Sequence, residues 1–265
     1  MKKKITIKDI AREAGVSIAT VSYVLNNKTE ERISEETRKK VLQIINLLDY
    51  TPNKFAQALA SNKKGNIAVY LPANVSPLKQ AEQLVFMQLL TAELKKHDYL
   101  LTLVCSHDFS QVDSADAIVC YGVTTEDFLR LGDNNLIPLL AVESIIDVPW
   151  FFQVVYDYER LSSDALAHFK TDDFTFASLE IVNTTLKLRV MEQFPNIVFV
   201  QSVKDFEALY GKHVVVAEDT LYQLLKEDCN IFHQPFAAIT KVEKLYECIE
   251  LAIGRVQVEN HNILV

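Results

Sequence analysis

The sequence predicts a small all-α helix-turn-helix module at the N-terminus, a short connecting helix, and an α/β domain over the remainder. Three observations carry this. Two short helical patterns joined by a glycine fill residues 5–26, a charge boundary falls near residue 65, and apolar runs alternate with helical patterns beyond it. In residues 1–65 Lys and Arg outnumber Asp and Glu 13 to 7, whereas in residues 66–265 they are outnumbered 28 to 14. A basic module beside an acidic body suits one end that meets phosphate and another that avoids it. Small helical modules are also basic by chance, so the charge gains meaning only beside the motif.

Taken in order, Thr6 and Asp9 form a capping box that opens the first helix. Gly15 supplies the turn, because it takes a positive φ without a Cβ clash. Ser17 caps the second helix, and Val21, Val24 and Leu25 recur at helical spacing on its inner face. Two helices joined this way match the unit whose second helix enters the major groove of DNA. Ser34 caps a third helix, with Glu35 and Glu36 in its first turn and Val41, Ile44, Ile45 and Leu48 as its apolar face. Pro52 suits a helix start, and residues 53–60 are a helical stretch too short to hold alone in water.

Residues 6–26 with Arg38, Tyr50, Pro52, Asn53, Ala56 and Leu59 closely resemble the lactose-repressor (LacI/GalR-type) family over residues 4–61. The specific part is the Tyr-x-Pro-Asn-x-x-Ala-x-x-Leu run that follows the helix-turn-helix. The resemblance implies that this run is a hinge helix that orders on operator DNA, with Asn53 and Ala56 in the contact and Leu59 wedged between base pairs. Such a wedge unstacks one step and bends the duplex onto the protein. The alternative is that Leu59 packs on Phe55 or the core. Ile18, Ala19 and Tyr23 occupy the base-reading positions; Thr6, Ser17, Thr20, Ser22 and Asn26 occupy phosphate-holding ones, with capping and solvation as their other reading. Many relatives carry an arginine where Tyr23 stands. Arginine makes a bidentate contact to guanine and tyrosine cannot, so the half-site is expected to depart from the arginine-read guanine. The implied domains are 1–50 for DNA reading, 51–64 for the hinge and linker, and 65–265 for effector binding and dimerisation.

Beyond Gly65 the strands expected are 66–71, 99–105, 117–121, 137–142, 174–182, 196–200 and 213–217, with an amphipathic helix over 78–97. The body also resembles the family's effector domain, two lobes like those of periplasmic sugar-binding proteins. That likeness rests on residues 115–120, 196–227 and 234–240. The departures are a shortened body, little room for a helix between Cys105 and Ala117, and only 6 glycines in the chain. Glycine serves the tight turns that line such a cleft. Arg189 and Asp219 match family effector positions, a surface salt bridge being the other reading of each. Trp150-Phe-Phe reads as core or as a sugar-stacking face.

Catalytic motifs are missing: there is no Gly-x-Ser-x-Gly, Gly-x-x-x-x-Gly-Lys or Gly-x-Gly-x-x-Gly. The histidines lack metal spacing, His213 and His233 reading as edge or surface residues, and no catalytic residue, metal site or cofactor is expected. The four cysteines (Cys105, Cys120, Cys229, Cys248) read as reduced thiols. No apolar run is long enough to span a bilayer and the start lacks an apolar signal segment, so a cytoplasmic protein without membrane contact is expected. The resemblance implies a repressor of carbohydrate-use genes, a homodimer on a pseudo-palindromic double-stranded operator, with a sugar or sugar-phosphate effector. The shortened, glycine-poor body equally fits a regulator that has lost small-molecule control and answers to a protein partner or to none.

Overall fold

The computed structural model describes residues 5–25, 33–50, 63–104 and 107–265. The hinge stretch and the positions of Asn26, Asn53, Ala56, Leu59 and Cys105 lie outside the described residues. The chain divides into two compact units, Met1–Lys64 and Gly65–Val265.

In the first unit, α1 (Ile7–Ala14), α2 (Ile18–Leu25) and α3 (Glu35–Leu47) follow the local signals. Thr6 donates from its backbone nitrogen and from its hydroxyl to one Asp9 carboxylate oxygen, at 3.0 and 2.7 Å. Gly15 ends α1 in the left-handed region at φ 67°, where a Cβ would strain the backbone. Ser17 and Ser34 accept from the amides of Thr20 (3.0 Å) and Thr37 (3.2 Å), opening α2 and α3. Ile10, Ala11 and Ala14 of α1 meet Val21, Val24, Val41 and Ile45 in one buried cluster.

The second unit is an α/β domain of two parallel sheets. The first lobe begins with β1 (Asn66–Tyr70), α4 (Pro77–Lys96), β2 (Leu100–Val104), β3 (Ala117–Tyr121), α5 (Thr125–Asn134), β4 (Leu139–Val142) and β5 (Phe152–Val155). The second lobe contains α6 (Tyr158–Phe169), β6 (Thr175–Leu179), α7 (Thr184–Gln193), β7 (Ile197–Val200), β8 (His213–Val216), α8 (Asp219–Leu225) and β9 (Asn230–His233). The chain then returns through α9 (Ala237–Ile253), which packs on α4 and β5, to β10 (Asn262–Leu264) beside β5. The sheet orders are β10-β5-β4-β3-β1-β2 and β7-β6-β8-β9, and every pairing is parallel. Strands buried on both faces read as near-continuous apolar runs, which is why β1, β3 and β4 were legible without alternation.

Two strands escaped the sequence, β9 and β10, and β5 was signalled only by the Trp150-Phe-Phe run that enters it. Each is only three or four residues long, and β10 gains its place from a partner more than a hundred residues earlier. Residues 107–116 hold no helix; Phe109 and Val112 cover that side of the sheet, packed against the cluster of Tyr70, Ile118 and Phe128. The Trp150-Phe-Phe run splits. Phe152 is buried as the first residue of β5, whereas Trp150 is 69% exposed beside a groove at the N-terminal ends of β4 and β5. It therefore stands at the opposite end of the sheet from the strand ends where the lobes meet.

Candidate functional site

Two sites emerge, one in each unit. In α2 the 3.6-residue period turns Val21 and Val24 into the core and leaves Ile18, Ala19, Ser22 and Tyr23 on the remaining arc. Ile18 is 45% exposed, Ala19 is exposed, and Thr20, Ser22 and Tyr23 are half-buried. Thr6 and Ser17, at the starts of α1 and α2, are exposed as well, and the Ser17 and Thr20 hydroxyls lie 2.9 Å apart. A single face thus offers apolar groups, a phenol and hydroxyls. Apolar groups suit thymine methyls and hydroxyls suit phosphate oxygens.

The second site is the cleft between the lobes. In open parallel sheets the C-terminal strand ends beside a reversal of strand order form a natural binding crevice. Such reversals lie between β1 and β3 and between β6 and β8, and the strand ends of both sheets converge there. The cleft is filled. Tyr121 ends β3 and Gly122 follows it, Glu143 follows β4, Tyr156 follows β5, Glu180 follows β6 and Glu218 follows β8. Lys79 and Glu82 enter from α4 and Lys241 from α9, all three buried. The remaining space is ≈ 10 Å³, about what one water needs.

The groups that fill it are charged and mostly paired. Lys241 Nζ donates to Glu143 Oε1 at 3.0 Å and lies 3.9 Å from the centre of the Tyr156 ring. Tyr158 donates its hydroxyl to the other Glu143 oxygen at 3.2 Å. Burial works against the Lys241 charge, yet Glu143 and the neighbouring tyrosines hold its pKa well above the ordinary lysine value. Glu143 also sits at φ 48°, a left-handed conformation that a buried non-glycine residue adopts only where its surroundings impose it. Glu82 accepts the Thr220 amide at 3.1 Å, a bond from α4 of the first lobe to α8 of the second. Asn183, also across the seam, donates to the carbonyls of Val123 and Ile145 and accepts from the Ile145 amide.

Glu218 is the exception. One of its oxygens accepts from the Leu179 amide (2.9 Å) and the Ser178 hydroxyl (3.1 Å). The other is buried without a hydrogen-bond partner among the described residues, as is the Tyr156 hydroxyl. Burial pushes the Glu218 carboxyl up to about 7; Lys79 opposes that shift and Glu82 reinforces it.

The structure does not bring Arg189 and Asp219 together. Arg189 is exposed on α7 and borders a separate groove of ≈ 300 Å³ with Asp147 and Asn262. Asp219 opens α8 and is paired with His233 at 3.0 Å. The His233 side chain is 5% exposed and stacked on Tyr222, so this edge-strand histidine is buried rather than at the surface. Sequence reasoning missed Lys79, Glu82, Glu143, Glu218 and Lys241. For Glu143 and Glu218 there was a signal: each acid follows an apolar strand, where a doubly wound sheet places its crevice.

The second unit is thus a two-lobed α/β domain. The lac repressor dimer bound to operator and the anti-inducer ONPF has this fold, with TM-score 0.57 and 16% identity over 99% of this chain and 96% of that one. The lac repressor bound to ONPG is similar at TM-score 0.60 and 16% identity, over 99% and 97% of the two chains. Residues 6–53, which include the helix-turn-helix, match the family described as "Bacterial regulatory proteins, lacI family". Catabolite control protein A of Streptococcus mutans is 54% identical over 68 residues, 26% of this chain and 20% of that protein. The protein of the same name from Priestia megaterium is 33% identical over 172 residues, 61% of this chain and 50% of that protein. The matches span no more than half the length of these two relatives. Among the described residues no helix is long and apolar enough to cross a membrane.

Proposed function

We propose that this chain is a sequence-specific DNA-binding transcriptional regulator that represses carbohydrate-use genes from a pseudo-palindromic operator as a homodimer. The observation that carries it is α2: capped by Ser17, closed onto a three-helix core, and presenting Ile18, Ala19 and Tyr23 outward. Residues 1–50 read the DNA, 51–64 form the hinge, and 65–265 form the dimerising body. Thr6, Ser17, Thr20, Ser22 and Asn26 hold phosphate, and Asn53, Ala56 and Leu59 act at the hinge. Exposed Leu84, Leu100 and Leu103 on α4 and β2 give the body an apolar surface that a second copy can cover. Two modules side by side double the contacts one module can make. Relatives named for catabolite control and for a fructose operon support the carbohydrate assignment. The protein is not an enzyme, uses no cofactor and works in the cytoplasm.

A second reading concerns the effector. The family resemblance calls for a sugar or sugar phosphate held by Arg189 and Asp219. The filled cleft and the exposed position of Arg189 favour a regulator without small-molecule control. Selection of bound sequences from random DNA tests the main reading, run on the wild type and on Leu59→Ala. A palindrome with one strong central step, weakened at that step by Leu59→Ala, supports operator and hinge together. Absence of any palindrome from a folded protein overturns it.

A further inference from the structure

We propose that the inter-lobe cleft is a proton-operated latch: the lobes close over Glu218 when its carboxyl is neutral and part when it is charged. The inference concerns Gly65–Val265 alone and stands or falls independently of the DNA-binding reading.

Its first support is geometric. The chain crosses from lobe to lobe at two short connections, residues 156–157 between β5 and α6 and residues 234–236 between β9 and α9. Two short crossings allow a hinge motion, so what holds the lobes together must be the seam itself. That seam combines apolar packing, with Ile145 and Val155 of the first lobe against Leu161, Phe176 and Leu186 of the second, and several ionisable groups at the strand ends. From α4 of the first lobe, Lys79 and Glu82 face Glu218 with opposite effects, the lysine favouring its charged form and the acid opposing it. Ser178 and the Leu179 amide of β6 bond one of its oxygens. Glu143, beyond β4, is already bound by Lys241 of α9 and by Tyr158 of α6. Tyr121 and Tyr156 are buried phenols and add no positive charge, while Glu180 adds a further carboxylate to the wall. On the α8 side Asp219 is paired with His233. Lys241 is thus taken up by Glu143, Lys79 works in favour of the Glu218 charge and Glu82 against it, and one oxygen of Glu218 is buried without a hydrogen-bond partner among the described residues.

A charged carboxylate in that position loses its hydration when the lobes close and regains it when they part. A neutral carboxyl loses far less. Its proton comes from solvent and returns there, so no other reactant is required. The sign follows from linkage: in the closed form the Glu218 pKa is raised to about 7 by burial, whereas in the open form it has the ordinary carboxyl value. Closing is favoured fully in acid, weakens as pH rises between those two values, and is flat above the higher one.

The Thr220 amide reports on the latch directly, because it crosses the seam to Glu82. Its hydrogen-exchange protection, corrected for the intrinsic effect of pH, is measured in the full chain from pH 5.5 to 8.5 for the wild type and for Glu218→Gln. In the wild type, protection falls about tenfold per pH unit up to near pH 7 and then levels off. In Glu218→Gln it stays at the acid value throughout. The same pH profile in both proteins overturns the proposal. Should the variant fail to fold, carbon-13 titration of the wild-type Glu218 carboxyl decides. A midpoint near neutrality supports the latch, and a group ionised throughout pH 5.5–8.5 removes it.

Discussion

Lys241 is the residue on which the cleft depends most. Its ammonium group is buried, bonded to Glu143 and seated over the Tyr156 ring. Such a pair adds little net stability as a whole, because desolvation offsets attraction, but removing one partner strands the other. Lys241→Met is therefore expected to lower the stability of the α/β domain by about 3–5 kcal/mol in urea unfolding. A change below about 1 kcal/mol would mean that Glu143 finds water or another donor. At the other end of the chain Tyr23 decides a different quantity. It stands half-buried on the outward arc of α2 and has no bidentate donor pair. Tyr23→Arg is expected to move the selected half-site towards guanine at one position, a gain of about 1–3 kcal/mol in discrimination there. An unchanged consensus would remove Tyr23 from the reading surface.

At the level of elements, the helix-turn-helix owes its form to caps rather than to length. Both α1 and α2 have only 8 residues, about half the length at which a helix becomes marginally stable alone in water. They persist because Thr6, Ser17 and Gly15 satisfy their ends and because Ile10, Val21 and Val24 share a core with α3. Ser17→Ala is expected to cost about 1 kcal/mol of thermal or denaturant stability in the N-terminal unit. It should also weaken DNA binding more than the stability loss explains, since the same hydroxyl faces the surface proposed to meet phosphate. Equal losses in both would reduce Ser17 to a cap.

Over the whole molecule, the charge boundary bears on how the proposed regulator would meet DNA. The basic segment is followed by a body in which acids outnumber bases 28 to 14. Phosphate contacts release counterions, so affinity falls with salt along a log–log slope of about −0.9 per phosphate neutralised. Operator binding is expected to show a steep negative slope that comes from residues 1–65, leaving the acidic body to repel non-specific DNA. A slope near zero in a titration from 50 to 200 mM salt, as order-of-magnitude conditions, would contradict this. Thermal-shift screening with sugars and sugar phosphates tests the filled cleft, because a ligand that binds only the native state raises its stability by mass action. With about 10 Å³ free between the closed lobes, no shift is expected at pH 5.5, where the latch holds them shut. A clear one there would show that a small molecule opens the lobes and that the small-molecule reading holds.

Within the described residues of the N-terminal unit, the three helices were legible residue by residue. Its caps, its glycine turn and its apolar faces are contacts between positions three or four apart, and local sequence carries such contacts in full. The alternation of strand and helix was legible for the same reason: β3 is a continuous apolar run whose bounds the sequence placed to the residue. What the sequence left open depends on distant parts of the chain meeting. The short strand β10 exists because β5 offers a free edge, and nothing within three residues announces that. The cleft is the larger case. Glu143, Glu218, Lys79 and Lys241 come from four separate elements, and each alone reads as an ordinary surface charge. Only the parallel winding of two sheets, with their strand ends facing one another, takes these groups out of water and makes them partners. The sequence by itself determined the helix-turn-helix unit and the class of the body. The tertiary structure alone decided what fills the space between the lobes, because burial and pairing of charge are properties of proximity in space.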